Sequence, residues 1–130
     1  MEEQLIQRLL ASAGVIALVS QRVWPARRTQ GSALPAIVVH RIDGGRAYHL
    51  TGDSGLSAAR MQIDCWGDNY ASAKKTARAV IAAMSAGRWS GGGVRFDGVF
   101  VEDESDDTFD EGGQALFRTR LDLMVHHAIG

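Results

Sequence analysis

Hydrophobic and polar positions follow two rhythms along this chain, one helical and one extended. Over residues 2–13, Leu5, Ile6, Leu9, Leu10 and Ala13 recur at helical spacing and predict an amphipathic helix. Glu2 and Glu3 sit in its first turn, where the helix dipole favours negative charge, and Gly14 is its stop. Val15 to Val19 add one short helical turn. Residues 20–35, punctuated by Pro25, Gly31 and Pro35, read as a loop in which Trp24 is extended because proline follows it, with Arg27 and Arg28 exposed. The β-branched run over 36–43 predicts a strand closed by Asp43-Gly44-Gly45. Residues 46–57 are ambiguous: Tyr48 to Thr51 fit a hairpin arm, and Gly52 to Gly55 a flexible tip.

The extended rhythm is plainest over 58–66, where Met61, Ile63 and Cys65 face one way and Arg60, Gln62, Asp64 and Trp66 the other. Gly67, Asp68 and Asn69 break that strand, and Asp68 or Asn69 can cap the next helix. Over 70–86 the apolar stripe Ala73, Ala77, Val80, Ile81 and Met84 predicts a helix able to lie close on a sheet, ended by Gly87. Gly91 to Gly93 form a loop or bulged entry to a strand over 94–103, with Gly98 at a bulge. After an acidic run, residues 114–126 form the last strand. Its Phe117, Thr119, Leu121, Leu123 and Val125 face one side, and Arg118, Arg120, Asp122 and Met124 the other. These elements predict an α+β fold: a two-layer, mainly antiparallel sheet of four to five strands packed by two helices, in the order αββαββ.

With 130 residues the chain suits a single domain, which at this size buries roughly two-thirds of its unfolded surface. The single cysteine, Cys65, forms no intramolecular disulfide and fits a reducing compartment. The acidic N-terminus does not resemble a secretory signal, and the apolar run Val15 to Val19 is too short for a bilayer, so no membrane partner is expected and the cytoplasm is the expected site of synthesis.

Net charge is −1, which gives no global field to attract nucleic acid. The distribution is uneven: residues 101–130 hold two basic and eight acidic side chains, while residues 1–50 hold six basic and three acidic. Seven acids fall within ten residues: Glu102, Asp103, Glu104, Asp106, Asp107, Asp110 and Glu111. Three readings stay open: a Ca²⁺ site, although the spacing departs from an EF-hand loop; a solvated hairpin tip; and a contact with a basic surface of a neighbouring copy. In the last reading the acids meet Arg22, Arg27, Arg28, Arg41 or Arg46 of that neighbour, and neutralising Asp106, Asp107 and Asp110 weakens assembly.

Nothing in the chain nominates catalysis or a cofactor. His126 and His127, adjacent in a strand, point to opposite faces and cannot share a metal; His40 and His49 have no ligand-spaced partner. Cys65 lies mid-strand with apolar neighbours, and Ser54 in Gly-Asp-Ser-Gly lacks the context of a protease nucleophile. The 91–93 glycines lack the Lys-Ser/Thr successor of a phosphate loop, and Trp24, Trp66 and Trp89 do not interleave with a basic stripe.

In order and spacing, several segments form a wider pattern: Arg22-Val23-Trp24-Pro25, Leu34 to Val39, Ser54-Gly55-Leu56, Ala59 to Trp66, Tyr70-Ala71, Gly98-Val99-Phe100, the acidic run, and Leu116 to Leu123. Over nearly its full length the chain thereby resembles the tail-terminator or tail-completion (head–tail joining) proteins of long-tailed phages and gene-transfer-agent-like particles. It departs at His126-His127, where a more aromatic finish fits the pattern. The resemblance implies a structural virion protein with no enzymatic activity. It also implies a hexameric homo-oligomer ring at the head-proximal end of the tail tube, halting tube polymerisation and joining a head connector or stopper protein, with DNA only in transit through the hole. Another connector or tube subunit, or a small oligomeric ligand-binding domain or enzyme, are the alternatives.

Overall fold

The computed structural model describes residues 2–27, 33–42, 56–85, 88–91 and 93–129. The elements run α1 (Glu2–Leu10), α2 (Ala13–Val19), β1 (Val23–Pro25), β2 (Ala36–Arg41), β3 (Leu56–Gly67), α3 (Tyr70–Met84), β4 (Trp89–Gly91), β5 (Val94–Glu111) and β6 (Gln114–Ile129). They build one curled, mixed sheet of six strands in the order β1-β2-β3-β6-β5-β4, with β1 parallel to β2 and the other pairs antiparallel.

This corrects the expectation of four to five strands, two helices and the order αββαββ. The strands β1 and β4 have three residues each, too short to carry an alternating signature, and β1 lies inside the proline-punctuated segment that reads as loop. Helix α2 is separate from α1 because the chain leaves helical geometry at Ser12, whose φ and ψ are −85° and 119°. The turn expected at Asp43-Gly44-Gly45, the hairpin arm at Tyr48 to Thr51, His49, Ser54 and the helix stop at Gly87 fall outside the described residues.

One face of the sheet carries the core. Ile37 and Val39 of β2, Met61, Ile63 and Cys65 of β3, Leu121, Leu123 and Val125 of β6 and Phe96 of β5 pack against Leu5, Leu9, Val15 and Val19 and against Ala77, Val80 and Met84 of α3. The alanines let α3 lie close, as its sequence predicts. Entry to α3 is tight: a side chain at Gly67 would meet the backbone nitrogen of Ala73 at 2.6 Å, so only glycine fits. The Asn69 side chain then accepts a 2.8 Å bond from the Ser72 amide and caps the helix.

At the far end of the sheet the Trp89 ring stacks on Phe96 at 4.5 Å, and the Arg8 guanidinium lies 4.7 Å from the Trp89 ring centre. Arg8 also donates to the Ala83 carbonyl, so α1, α3 and β4 meet at one corner.

The long β5–β6 hairpin is the largest departure from the sequence pattern. Its turn is Gly112-Gly113, with φ of 59° and 86°, both in the left-handed region that glycine tolerates without strain. The acidic run is therefore strand and not hairpin tip. Gly98 does sit at a register shift, as its place in the sequence predicts, and a second shift separates Val101 from Asp103.

Candidate functional site

The second face of the sheet is built by the alternate residues of the same strands. Val38 and His40 come from β2, Gln62, Asp64 and Trp66 from β3, Arg118 and Arg120 from β6, and Asp107 and Phe109 from β5. All core contacts of the helices lie on the opposite face.

Asp64 is the centre of this face and is only 3% exposed. A carboxylate buried to that degree needs donors. Gln62 Nε2 donates to its Oδ1 at 2.8 Å, His40 Nε2 lies 3.0 Å from its Oδ2, and Arg118 Nη1 lies 3.8 Å from that same oxygen. Arg118 also donates through Nη2 to Asp107 Oδ2 at 2.7 Å. Its guanidinium is flanked by Trp66 and Phe109, 5.6 and 4.9 Å from their ring centres, and the two rings are 5.4 Å apart.

Beside this cluster lies a cavity of about 440 Å³, walled by Val38, Trp66, Phe109 and Leu116 and edged by Arg27 and Glu111. Of its polar groups His40, Gln62, Asp64 and Arg118 are engaged with one another. Cys65 points to the core, and burial, with the charges of Asp64 and Glu104 adding to it, pushes its thiol far above the usual range. Among the described residues no three His, Cys, Asp or Glu side chains converge to hold a metal. His126 packs edge-on against Phe100 and His127 tilts against Phe96, on opposite faces of β6 as adjacent strand residues must.

The acidic run divides between the two faces of the sheet, with the register shift after Val101 interrupting the alternation. Glu104 and Asp106 reach Lys74 of α3, Asp106 at 3.0 Å, and the hydrogen bond to Glu104 is the main cause of a raised Lys74 pKa. Asp106 also accepts from the Thr119 hydroxyl at 2.8 Å. Glu102 lies 3.6 Å from Arg60, and Asp107 pairs with Arg118. Asp103 and Asp110 are exposed, and neither forms an ion pair among the described residues.

Among the described residues, neither Arg22 nor Arg27 forms an ion pair with these acids. Arg22 donates to the carbonyls of Pro35 and Leu18, Arg27 is exposed at the end of β1, and Arg41 ends β2; Arg28 and Arg46 lie outside the described residues. Sequence reasoning missed Lys74, Trp66 and Arg118 as partners of the run. The available signal was the polar side of β3 and β6, where Asp64, Trp66 and Arg118 already share a face.

The two sheet edges also differ. At one edge β4 covers only Val94, Arg95 and Phe96 of β5, so among the described residues no strand pairs with the outer side of 97–111. At the other edge stands β1, three residues long, between Arg22 and Arg27.

A helix-clad sheet with a charged second face, and with the edge of 97–111 unpaired among the described residues, is a fold of contact surfaces, and the class it defines is the structural subunit. Residues 3–127 match the family described as tail completion protein gp17, and the chain belongs to that family. It is a phage tail structural protein. Its fold is also that of a chain in the structure titled "Virion of native gene transfer agent (GTA) particle", with a TM-score of 0.70 over 95% of this chain and 91% of that one, at 21% identity. No match is found among curated proteins.

Proposed function

We propose that this chain closes the head-proximal end of a tail tube as a ring of identical copies, hexameric in the fullest form of the reading. As a single domain over residues 1–130, the ring stops tube polymerisation and offers its other surface to a head connector or stopper protein. DNA crosses its central hole in transit, and no cofactor or membrane is involved. Assembly takes place in the host cytoplasm.

The observation that carries this reading is the charge on the two sheet edges. The acidic run lies on β5, and Arg22 and Arg27 flank β1 at the opposite edge. Two different patches on one subunit are what a heterologous, head-to-tail contact requires, and such contacts close into rings when the rotation permits. Charge would set register and speed encounter, and apolar burial would supply most of the affinity. Because Glu104, Asp106 and Asp107 are held by Lys74 and Arg118, the acids left for a neighbour include Asp103 and Asp110.

Electron microscopy of the purified protein, alone and with tube subunits, tests the proposal. Single closed rings capping tubes are the expected result. Stacked discs would indicate a tube subunit, and free monomers beside uncapped tubes would defeat the reading.

A further inference from the structure

We propose that Phe100 of one copy seats in the cavity walled by Trp66, Phe109 and Leu116 of the next copy, as a knob in a socket. The inference rests on the ring reading above and names the apolar contact that carries its affinity.

Phe100 is placed to project. It is 59% exposed and lies on the second face of the sheet, opposite Met124. Its ring stands edge-on to His126 at 5.5 Å, and a β-carbon at Gly98 would lie 3.1 Å from it, so the glycine leaves the space in which the ring rests. Both contacts hold the ring in place before a partner arrives, which lowers the ordering cost of docking.

The cavity is shaped to receive it. Its volume of about 440 Å³ exceeds that of a phenyl ring, and Val38, Trp66, Phe109 and Leu116 make its walls apolar. His40, Gln62, Asp64 and Arg118 in its lining bond to one another, so an occupant without polar atoms leaves none of these four stranded. Aromatic walls favour an aromatic occupant through offset or edge-to-face contacts.

That occupant comes from another copy. Phe100 and Phe109 stand nine residues apart on β5, roughly 30 Å at an extended rise, so the ring cannot reach the cavity of its own chain. Charge favours the same pairing. Arg27 edges the cavity and Asp103 lies three residues beyond Phe100, and neither forms an ion pair among the described residues. Seating Phe100 brings this carboxylate, roughly 10 Å further along the strand, to the guanidinium at the rim. Knob and socket are different parts of one chain, so the contact repeats from copy to copy.

Two variants test this. Phe100→Ala removes the knob. Ala26→Trp fills the socket from an exposed lining position that already carries a β-carbon at its φ of 68°. Circular dichroism establishes that both fold; electron microscopy and native mass spectrometry follow assembly with tube subunits. The unaltered protein is expected to form rings, and each variant alone to need at least about tenfold more protein for half assembly, the effect of losing one buried phenylalanine. An equal mixture of the variants retains one intact knob and one intact socket, on different copies, and is expected to give heterodimers and no rings. Rings from either variant at the concentration that suffices for the unaltered protein, or a mixture without heterodimers, would overturn the inference and leave the ring reading standing. Absence of rings from the unaltered protein would overturn both.

Discussion

Arg118 and Asp107 stand directly opposite each other on β6 and β5, and the guanidinium Nη2 donates to the carboxylate at 2.7 Å. This pair ties the acidic run into the sheet. The two partners differ in what they carry. Arg118 also packs against both Trp66 and Phe109 and faces buried Asp64, whereas Asp107 is 39% exposed. Arg118→Ala is therefore expected to destabilise the fold by about 2–3 kcal/mol, through lost packing and an under-compensated Asp64. Asp107→Asn is expected to cost under about 1 kcal/mol. Urea unfolding of both variants checks the contrast, and equal losses would contradict it.

Lys74 gives the fold a dependence on alkaline pH. Its pKa is raised above the ordinary 10.5, chiefly by the hydrogen bond to Glu104, so the folded chain holds this proton more tightly than the unfolded chain. The stabilisation is complete below 10.5 and is lost as pH climbs through the raised folded value. Lys74→Met is expected to cost up to about 1 kcal/mol at neutral pH and to flatten the alkaline limb of the stability curve. Melting temperatures at pH 8 and pH 11 measure it.

Cys65 is fully buried in the core and its thiol is pushed up by burial. Reaction with a thiol reagent at pH 8 is expected to run roughly a thousandfold or more slower than for a free thiol, and to speed up in step with unfolding in urea. Rapid labelling of the folded protein would contradict the packing described for β3.

Asp103 and Asp110 are the exposed acids of β5 without an ion pair among the described residues. Changing both to Asn is expected to leave the melting temperature within about 2 °C, since exposed charges contribute little to the fold. It is expected to slow assembly severalfold at low salt, and less above 0.3 M salt, where screening has already weakened the contact. Light scattering against time at two salt concentrations reads both effects.

Much of this fold was legible because its longest elements obey one period each. Met61, Ile63 and Cys65 alternate with Gln62, Asp64 and Trp66 along β3, and Ala73, Ala77 and Val80 mark the buried face of α3. The three-residue β1 and β4 had no such period to show. The acidic run concealed its strand because alternation there separates acid from acid, not apolar from polar: Glu104 and Asp106 face Lys74 while Asp107 faces Arg118. The Gly112-Gly113 turn was the available sign that the strand reaches Glu111. The Asp64–Arg118 cluster was legible only as a shared strand face, because it gathers residues from four strands, with Asp64 and Arg118 more than fifty positions apart.

Head-to-tail contact between the two sheet edges is tested most directly by cross-linking. In a Cys65→Ser background, Arg27→Cys and Asp110→Cys are placed on separate copies, because Arg27 and the two neighbours of Asp110, Phe109 and Glu111, line one cavity within a chain. The two variants are treated with a short bismaleimide alone and mixed, under assembly conditions. The mixture is expected to give covalent dimers, and each variant alone only monomer. Dimers from either variant alone, or monomer alone from the mixture when rings are visible, would contradict the account.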